Sequence, residues 1–586
     1  MTHTLAAALR DTLARHPERP AITYRAVHGW HTVTWHELGS LVADTCDRLD
    51  SIHLGQVVAV IAETDARYPI LELALGLTGR IVMPLYTTSS HDELRELLAA
   101  APADAVVVGD AMSIPGSTSI PVHRLVDLVP LPGVDRGVEV IGADVEPFDS
   151  SNVLQRISVF DPPARAAALY LQSTGTTAPA GLIELSGAAM AAAADVLAEY
   201  PTQKHPRFLS FLPTAHISER LLTVYLAVWV AGHTWYGGGL ADLQADLRDC
   251  RPTLLLAPPP LLRTIRQETE TAAAGSALGR SLVAAAERTV ARILLAGRTG
   301  ITRRGLAPRL LGRSVRASLG LTAVSEIFAG TSPLDASTQA WWEAVGLPVR
   351  NVYGQTQIAG AVSSTALVGA RLPGVGTPEG SVRVRIGDDD ELLIDSPANF
   401  TRYVGPDGPE RTAAAFTADG WLRTGDRARL TEDGELEVIG RTHGVFGPPA
   451  AALSAEVLVG RLVERFGSVD AVVAAPETRD SAVLYLAFRP DRWTEADRSG
   501  ESSINALAED DARFGSVADA LAVADPLGVV TAVCLLDGAF GMSTGEVGPT
   551  GKLRAWRIHQ LRSNSLVARE RMGVDALSVE SAGLST

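Results

Sequence analysis

A run of small and hydroxyl-bearing residues follows the apolar stretch 166–171 and has the composition of an anion-binding turn. The run consists of Ser173, Thr174, Gly175, Thr176 and Thr177. Such a turn can point backbone N–H groups and hydroxyls at one phosphate, but the same composition is also common in surface loops. The run alone leaves both interpretations open.

Further polar motifs follow in order along the chain. They are GTSPL from Gly330, NVYGQTQ from Asn351, WLRTGD from Trp421, GR at Gly440, and GPTGK from Gly548. No single motif is specific, because Asp426 of TGD could be a turn residue and Lys552 of PTGK could be a surface lysine. The information lies in the ordered set.

Two other motifs suggest different chemistry, but the residues around each motif do not fit that chemistry. GMSTG at residues 541–545 matches the G-x-S-x-G elbow of serine hydrolases. That fold needs an acid and then a histidine after the serine, and the short remaining tail offers only His559. GPTGK resembles a Walker loop, but Glu546 stands where glycine is needed and Leu553 stands where a hydroxyl should hold magnesium.

The elements that must position these motifs alternate between strand-like and helix-like patterns. Apolar runs such as Val57–Ile61 and Ala105–Val108 alternate with helical stretches such as the one from Asp92, which predicts parallel sheets covered by helices. Residues 272–295 are rich in alanine and predict helix, and residues 221–231 predict a buried helix. After Gly440, one helical stretch and three apolar strand candidates suffice for a small α+β domain.

These patterns predict an α/β protein with two domains. Residues 1–441 would form a large N-terminal domain of sheets and helices, and residues 442–586 a small C-terminal domain. A chain of 586 residues exceeds what one hydrophobic core normally organises.

Composition narrows the class of protein. With 46% hydrophobic and 20% charged residues the chain is globular, and a net charge of -16 argues against nucleic-acid binding. The three distant cysteines form neither a disulfide framework nor a zinc motif, which favours a reducing compartment. Asp11 and Arg15 interrupt any signal-peptide core, and residues 221–231 are too short to span a bilayer. We therefore expect a cytoplasmic protein without a transmembrane segment.

Taken together, the ordered motifs resemble those of the adenylate-forming superfamily of acyl-CoA synthetases, aryl-acid ligases and luciferases, and most of all the long-chain acyl-CoA synthetases. FLPTAHISER from Phe211 is similar to the family signature L-P-x-x-H-x-x-E-R, and GLPVRNVYGQTQ from Gly346 is similar to G-L-x-V-x-x-x-Y-G-x-T-E. The resemblance covers nearly the whole chain. It implies an AMP-forming ligase that uses ATP and Mg²⁺ to activate a carboxylate as acyl-AMP, with CoA, a carrier protein or an amine as acceptor.

The resemblance also implies roles for individual residues. Attack of a carboxylate oxygen on the α-phosphorus builds negative charge, so the site must bind phosphates and supply positive charge. The run at Ser173 would hold the β- and γ-phosphates. The nucleotide would otherwise be bound by Gly330, Thr331, Ser332, Asn351, Val352, Tyr353, Gly354, Asp426 and Arg441, with Asp426 on the ribose hydroxyls.

Three residues would carry the catalytic roles that the resemblance implies. Thr356 would approach the α-phosphate, Arg441 would stand near ribose and phosphate, and Lys552 would be the mobile lysine that contacts the carboxylate and α-phosphate. His443 falls at the hinge position. His216 is either part of the acyl pocket or a core histidine, and one interpretation of its neighbours Glu219 and Arg220 is that they simply pair on a helix.

The chain departs from the family pattern at three places. The family phosphate loop ends T-T-G-x-P-K-G, whereas residues 176–181 are one residue shorter and lack the lysine. Gln357 replaces the glutamate directed at magnesium, and a neutral oxygen holds this cation less strongly. Residues 442–449, which include two prolines, replace a basic, glycine-rich stretch. These changes predict weaker phosphate and metal binding and a weaker thioester half-reaction.

Three functions fit this mixture of retained and altered motifs. The first is a ligase of specialised metabolism that activates a fatty or aryl carboxylate. The second is a diazotase-like ligase that activates nitrite on AMP and diazotises an aromatic amine. The third is a non-catalytic nucleotide-binding protein, against which the retained Lys552 argues.

Overall fold

The computed structural model describes most of the chain up to Phe446 and selected segments beyond it. The described residues are 4–110, 120–132, 152–164, 166–173, 181–200, 203–300, 306–360, 362–446, 453–455, 457–459, 462, 469–476, 481–488, 505–506, 521, 524–525, 529–537, 540, 546–547, 552–562 and 567–568. The predicted phosphate-loop residues Thr174, Gly175, Thr176 and Thr177 lie outside these ranges, and so does the GMSTG motif.

The largest described sheet has a parallel centre that is buried on both faces. Its strand order is Arg402–Val404, Leu182–Ser186, Ala167–Gln172, Ile81–Leu85, Val57–Ile61, Ala105–Val108 and Val122–Arg124. The last five strands run parallel, and the first two pair antiparallel. Continuous apolar strands of this kind need helices on both faces. The predicted strands Val57–Ile61 and Ala105–Val108 are confirmed, as is the helix His91–Ala100.

The helices around this sheet begin at well-defined caps. They are Leu5–Arg15, Trp35–Ser51, Arg67–Leu77, His91–Ala100, Leu125–Leu128, Val153–Ser158 and Gly187–Ala198. Thr34 and Glu37 form a capping box, in which the Glu37 N–H donates to Thr34 Oγ1 and the Thr34 N–H donates to Glu37 Oε2. Such reciprocal caps satisfy N–H groups that the first helical turn leaves without partners.

A second sheet contains three parallel strands. Its order is Leu254–Leu256, Glu326–Ala329, Val349–Tyr353, Ser363–Ser364 and Thr377–Pro378. The helices Pro259–Ala274, Ala277–Ala296, Leu306–Ser318 and Ala336–Ala344 pack with it around a core that contains Trp341 and Trp342. The helix predicted within residues 272–295 is therefore two helices, because the Oγ of Ser276 accepts from the Gly279 N–H and starts a new one.

Two further sheets complete the part of the chain before residue 446. One has the order Gly29–Thr34, Pro20–Ala26, His233–Tyr236 and Arg207–Ser210, and the other has the order Arg383–Ile386, Glu391–Asp395, Leu422–Leu430 and Leu436–Arg441. The remaining helical segments are Ile217–Arg220, Leu221–Leu226, Ala227–Trp229, Leu243–Cys250, Leu321–Ala323, Thr356–Ile358, Asp388–Asp390, Gly408–Ala415 and Thr442–Gly444.

The described segments beyond residue 446 form their own sheet. Its strands are Val469–Pro476, Ala482–Phe488, Val530–Asp537, Asn505–Ala506 and Val567–Ala568, and the helix Ala555–Arg562 accompanies them. Val445–Phe446 pairs with Leu453–Ser454. The three strands predicted here are confirmed, and the fold class is α/β as predicted. Within the described residues, no helix combines the length and apolar character needed to cross a bilayer.

Candidate active site

One cavity brings together predicted residues that are far apart in sequence. The cavity has a volume of about 260 Å³. The predicted residues that line it are Ser173, His216, Gly330, Thr331, Val352, Gly354, Thr356, Gln357, Arg441 and Lys552. Motifs separated by up to several hundred residues therefore meet at one place.

The parallel strands of the second sheet explain much of this convergence. Glu326–Ala329 and Val349–Tyr353 are parallel neighbours, and their carboxyl ends lead directly into Gly330 and Gly354. Ligands of open parallel sheets bind outside the carboxyl ends of the strands. Ser173 follows the strand Ala167–Gln172 of the largest sheet in the same manner.

Thr331 adopts a strained backbone at the cavity wall. Its φ is 72°, which is unusual for a β-branched residue. Its carbonyl oxygen accepts a hydrogen bond from Nζ of Lys552. Strained residues of this kind persist where the surrounding structure fixes them, and they concentrate at functional sites.

Asp426 is held beside the cavity by several donors. It lies on Leu422–Leu430 directly opposite Arg441 of the neighbouring strand, and its Oδ1 lies 3.2 Å from Arg441 Nε. Its Oδ2 accepts from the Tyr353 hydroxyl and from Gln355 Nε2, both at 2.6 Å. Burial and this carboxylate raise the pKa of Tyr353 well above its usual value, so the phenol stays protonated and donates. The carboxylate is thereby fixed in orientation.

Two cationic side chains face the cavity together. Arg441 donates from Nη1 to the carbonyl of Thr424 at 3.3 Å and is also paired with Asp426. Lys552 has no carboxylate partner among the described residues. Burial, and then the charge of Arg441, lower the pKa of Lys552 to about 8. Two positive charges that lie close together in a partly buried site favour the binding of an anion.

His216 lines the cavity as a neutral imidazole. Its Nδ1 accepts from the Ser218 N–H at 3.2 Å and so caps the helix Ile217–Arg220. Burial, and then the charge of Lys552, lower its pKa to about 4. The ring is therefore uncharged near neutral pH.

Glu219 and Arg220 do not pair with each other, so the interpretation as a simple helical pair is wrong. Glu219 accepts from Ser210 Oγ at 2.5 Å, whereas Arg220 pairs with Glu72 at 2.6 Å. Adjacent helical residues point in different directions, and each therefore finds its partner on a different element.

Much of the remaining cavity wall is a contiguous apolar cluster. The π-helical turn Leu221–Leu226 follows His216 and supplies several of its members, a type of turn that is frequent at functional sites. The apolar lining residues are Leu197, Ile217, Leu221, Leu222, Leu226, Leu254, Leu256, Phe328 and Val352, and all but Ile217 and Leu221 belong to one packed cluster. The cavity thus combines a cationic part with an apolar part.

Of the predicted site residues that the structure describes, four do not line the cavity: Ser332, Asn351, Tyr353 and Asp426. Asn351 is buried, and its Nδ2 donates to the carbonyl of Gly374 at 2.9 Å. Sequence reasoning missed Gln355 and Arg411, which do line it. Gln355 occupies the variable position of the Y-G-x-T motif, so the pattern carried no signal for it.

Gln357 fits a magnesium ion that is held mainly by phosphates. Its Nε2 donates to the Tyr403 hydroxyl at 3.4 Å, and no described residue donates to its Oε1. In the described part of the chain, no group of three or more histidines, cysteines or carboxylates could hold a metal on its own. Magnesium commonly takes one or two protein oxygens and completes its shell with phosphates and water.

Comparisons with known proteins find a matching family and related sequences. The sequence profile of the AMP-binding enzyme family matches residues 9–404. A long-chain-fatty-acid–CoA ligase of Mycobacterium bovis is 28% identical over 442 residues, which cover 72% of this chain and 71% of the relative.

Solved structures share the fold. The O-succinylbenzoate coenzyme A synthetase MenE of Bacillus subtilis, in complex with ATP and magnesium ion, has a TM-score of 0.65 at 16% identity, with 94% of this chain and 98% of that chain covered. ATP-bound MatB of Rhodopseudomonas palustris has a TM-score of 0.65 at 18% identity, with 96% and 99% covered.

Proposed function

Because the chain belongs to the family of AMP-binding enzymes, we propose that it activates a carboxylic acid with ATP as acyl-AMP and then passes the acyl group to CoA or another acceptor. The observation that carries this proposal is the cavity, in which the cations Arg441 and Lys552 face the same space as a contiguous apolar wall. A fatty acid has the matching chemistry, with one anionic end and one apolar chain.

The first chemical step would form a mixed anhydride. A carboxylate oxygen attacks the α-phosphorus of ATP, the bond from that phosphorus to the bridging oxygen breaks, and pyrophosphate leaves. Lys552 would neutralise charge that develops on the α-phosphate and carboxylate, and Thr356 would donate a hydrogen bond to the α-phosphate. Groups aimed at charge that develops in the transition state contribute most to such a reaction.

The second step would consume the anhydride. A nucleophile such as the CoA thiol attacks the acyl carbon, a thioester forms and AMP leaves. Asp426 would hold the ribose hydroxyls of AMP through both steps, and Ser173 would contact the outer phosphates of ATP in the first. Gln357 is the candidate ligand for a magnesium ion that arrives with ATP, which would screen phosphate charge.

The apolar wall favours an aliphatic carboxylate as the substrate. The mycobacterial relative is named as a long-chain-fatty-acid–CoA ligase, which supports the same class. His216 would line the start of the acyl pocket, where a neutral ring does not compete with the cations for the carboxylate.

We further propose that residues 1–441 and 442–586 act as two domains. In this arrangement the second domain delivers Lys552 to the cavity for adenylation and turns about His443 for acyl transfer. The altered stretch after Arg441 leads us to expect adenylation to be more robust than CoA thioester formation.

The test is acid-dependent exchange of labelled pyrophosphate into ATP. The panel contains fatty acids of increasing length, aryl acids, and nitrite with an aminoarene, and AMP, acyl-CoA and diazo products are followed separately. We expect exchange with fatty acids and its loss in Lys552→Ala. Activity that requires nitrite and an aromatic amine would establish the diazotase-like function instead, and no exchange with any acid would contradict the proposal.

A further inference from the structure

The cavity contains a third cation, Arg411, to which the motif comparison assigns no role. Arg411 lies on the helix Gly408–Ala415, and its side chain lines the cavity together with Ser173 and Gln357. Residues 173–181 contain neither lysine nor arginine, so the segment expected to hold the outer phosphates brings no cation of its own.

The guanidinium of Arg411 packs against the backbone of Gly181. A Cβ built on Gly181 would lie 2.7 Å from Arg411 Nη2 and 2.9 Å from Cζ, so only glycine leaves room for this approach. Gly181 in turn is bonded to Ser173, because the Ser173 N–H donates to the Gly181 carbonyl at 2.8 Å and the Gly181 N–H donates to Ser173 Oγ at 3.0 Å. The cation therefore stands where residues 173 and 181 meet.

The fold holds Arg411 in this place. Its Cζ lies 4.2 Å from the ring centroid of Tyr403, a cation–π contact that favours a planar guanidinium. Thr412 accepts a hydrogen bond from the Tyr403 N–H at 2.9 Å, which ties the helix to the strand Arg402–Val404. That strand pairs with Leu182–Ser186, which follows Gly181 directly.

The charge of Arg411 is poorly neutralised. Among the described residues its ion-pair partner is Asp407, at 3.6 Å and with a carboxylate that is 63% exposed. Exposed pairs of this kind contribute little, and either partner exchanges readily for a better one. A phosphate group offers a better partner, because a guanidinium binds it through two parallel hydrogen bonds.

We propose that Arg411 binds the outer phosphates of ATP and the pyrophosphate that leaves, supplying from a separate helix the cation that residues 173–181 lack. This inference rests on the proposed function. It assigns Arg441 and Lys552 to the part of the nucleotide that becomes AMP, and Arg411 to the part that departs.

The assignment predicts a loss of affinity for ligands that carry the outer phosphates and no loss for AMP. Arg411→Gln should weaken binding of ATP and of pyrophosphate about 10- to 100-fold, the scale for a hydrogen-bonded charge, and should leave AMP binding unchanged. Arg411→Lys should recover part of the loss. Gly181→Ala should show a smaller loss with the same selectivity, because its methyl group shifts the guanidinium while the charge remains in the chain.

Binding of ATP, pyrophosphate and AMP is measured by calorimetric titration without any acid substrate. Arg385→Gln is the matched control, because Arg385 also stacks on an aromatic ring, that of Trp421, and pairs with one exposed carboxylate, but lies outside the cavity lining. Thermal unfolding confirms that each variant is folded. Equal losses for ATP and AMP in Arg411→Gln, or none for either, would overturn the assignment. A parent protein that binds neither ATP nor AMP would instead refute the proposed function.

Discussion

Lys552 is the residue whose charge state links the site most directly to its proposed chemistry. Its pKa is lowered to about 8 by burial and by Arg441, so the free protein carries a readily titrated ammonium at the cavity. An anion that binds there stabilises the charged form and raises this pKa again. The free enzyme and the ATP complex should therefore titrate differently.

The pH dependence of adenylation should report this group. The protonated form is the active one and is lost as pH rises through the pKa, so kcat/KM for ATP should fall above about pH 8. In Arg441→Gln this fall in kcat/KM should move to higher pH, because loss of the neighbouring positive charge raises the pKa of Lys552. The profile is measured by pyrophosphate release.

Lys552→Arg provides the control, because a guanidinium does not titrate in this range. The kcat/KM of this variant for ATP should not fall above about pH 8. If kcat/KM falls at the same pH in Lys552→Arg as in the parent, the titrating group is not Lys552.

At the residue scale, the motifs located the cavity but not all of its contacts. Gly330, Gly354 and Thr356 could be predicted because they belong to motifs that follow one another in the order of a recognisable family pattern. Arg411 could not, since its approach to Gly181 depends on how a helix is tied to a neighbouring strand.

At the element scale, strands and helices with clear periodicity were predictable and their local irregularities were not. The alternation of apolar runs located Val57–Ile61 and Ala105–Val108. The buried helix expected within residues 221–231 is helical, but it contains the π turn Leu221–Leu226. An apolar run has the same pattern for either helix type, so only packing distinguishes them.

A buried ion pair joins two helices, one of which contributes to the cavity lining. Arg220 of Ile217–Arg220 pairs with Glu72 of Arg67–Leu77, and both side chains are 1% exposed. The hydroxyl of Tyr68 accepts a hydrogen bond from Arg220 as well. Removal of one partner leaves an unpaired charge in the interior, whereas removal of both does not.

Glu72→Gln should lower the free energy of unfolding by about 3–5 kcal/mol, because it leaves the Arg220 charge unpaired. Glu72→Leu combined with Arg220→Met should be less destabilised than either single change. Thermal and urea unfolding, followed by the intrinsic fluorescence of the tryptophans, measure the difference. A double variant whose destabilisation equals the sum of the two single ones would show that the pair is not coupled.

At the scale of the whole molecule, contacts of Lys552 and Arg554 help to join the C-terminal segment to the remainder. Nζ of Lys552 donates to the Thr331 carbonyl, and Nη2 of Arg554 lies 2.7 Å from Glu93 Oε1. The pair Arg554–Glu93 is largely buried, with side chains 8% and 14% exposed. Such contacts span more than two hundred residues, so no local pattern could have predicted them, whereas the alternation of strand-like and helix-like patterns did predict the α/β fold.

The Arg554–Glu93 pair should stabilise the arrangement that presents Lys552 to the cavity. Glu93→Gln should therefore slow adenylation about tenfold, on the scale of one partly buried ion pair, and leave ATP affinity unchanged. Acyl transfer from supplied acyl-AMP should not be slowed. The two half-reactions are measured separately by rapid quench.

Glu96→Gln is the matched control, because Glu96 lies on the same helix, His91–Ala100, and is exposed. It should behave like the parent in both half-reactions. Equal slowing of both half-reactions in Glu93→Gln would contradict the assigned role of the pair.

The fate of the carboxylate oxygen tests the proposed activation chemistry most directly. The protein is supplied with ATP, magnesium, CoA and a fatty acid labelled with ¹⁸O in both carboxylate oxygens, and the products are analysed by mass spectrometry. Attack of the carboxylate on the α-phosphorus predicts AMP that carries one ¹⁸O atom, with unlabelled pyrophosphate. Unlabelled AMP, or ADP together with labelled inorganic phosphate, would contradict an acyl-AMP intermediate.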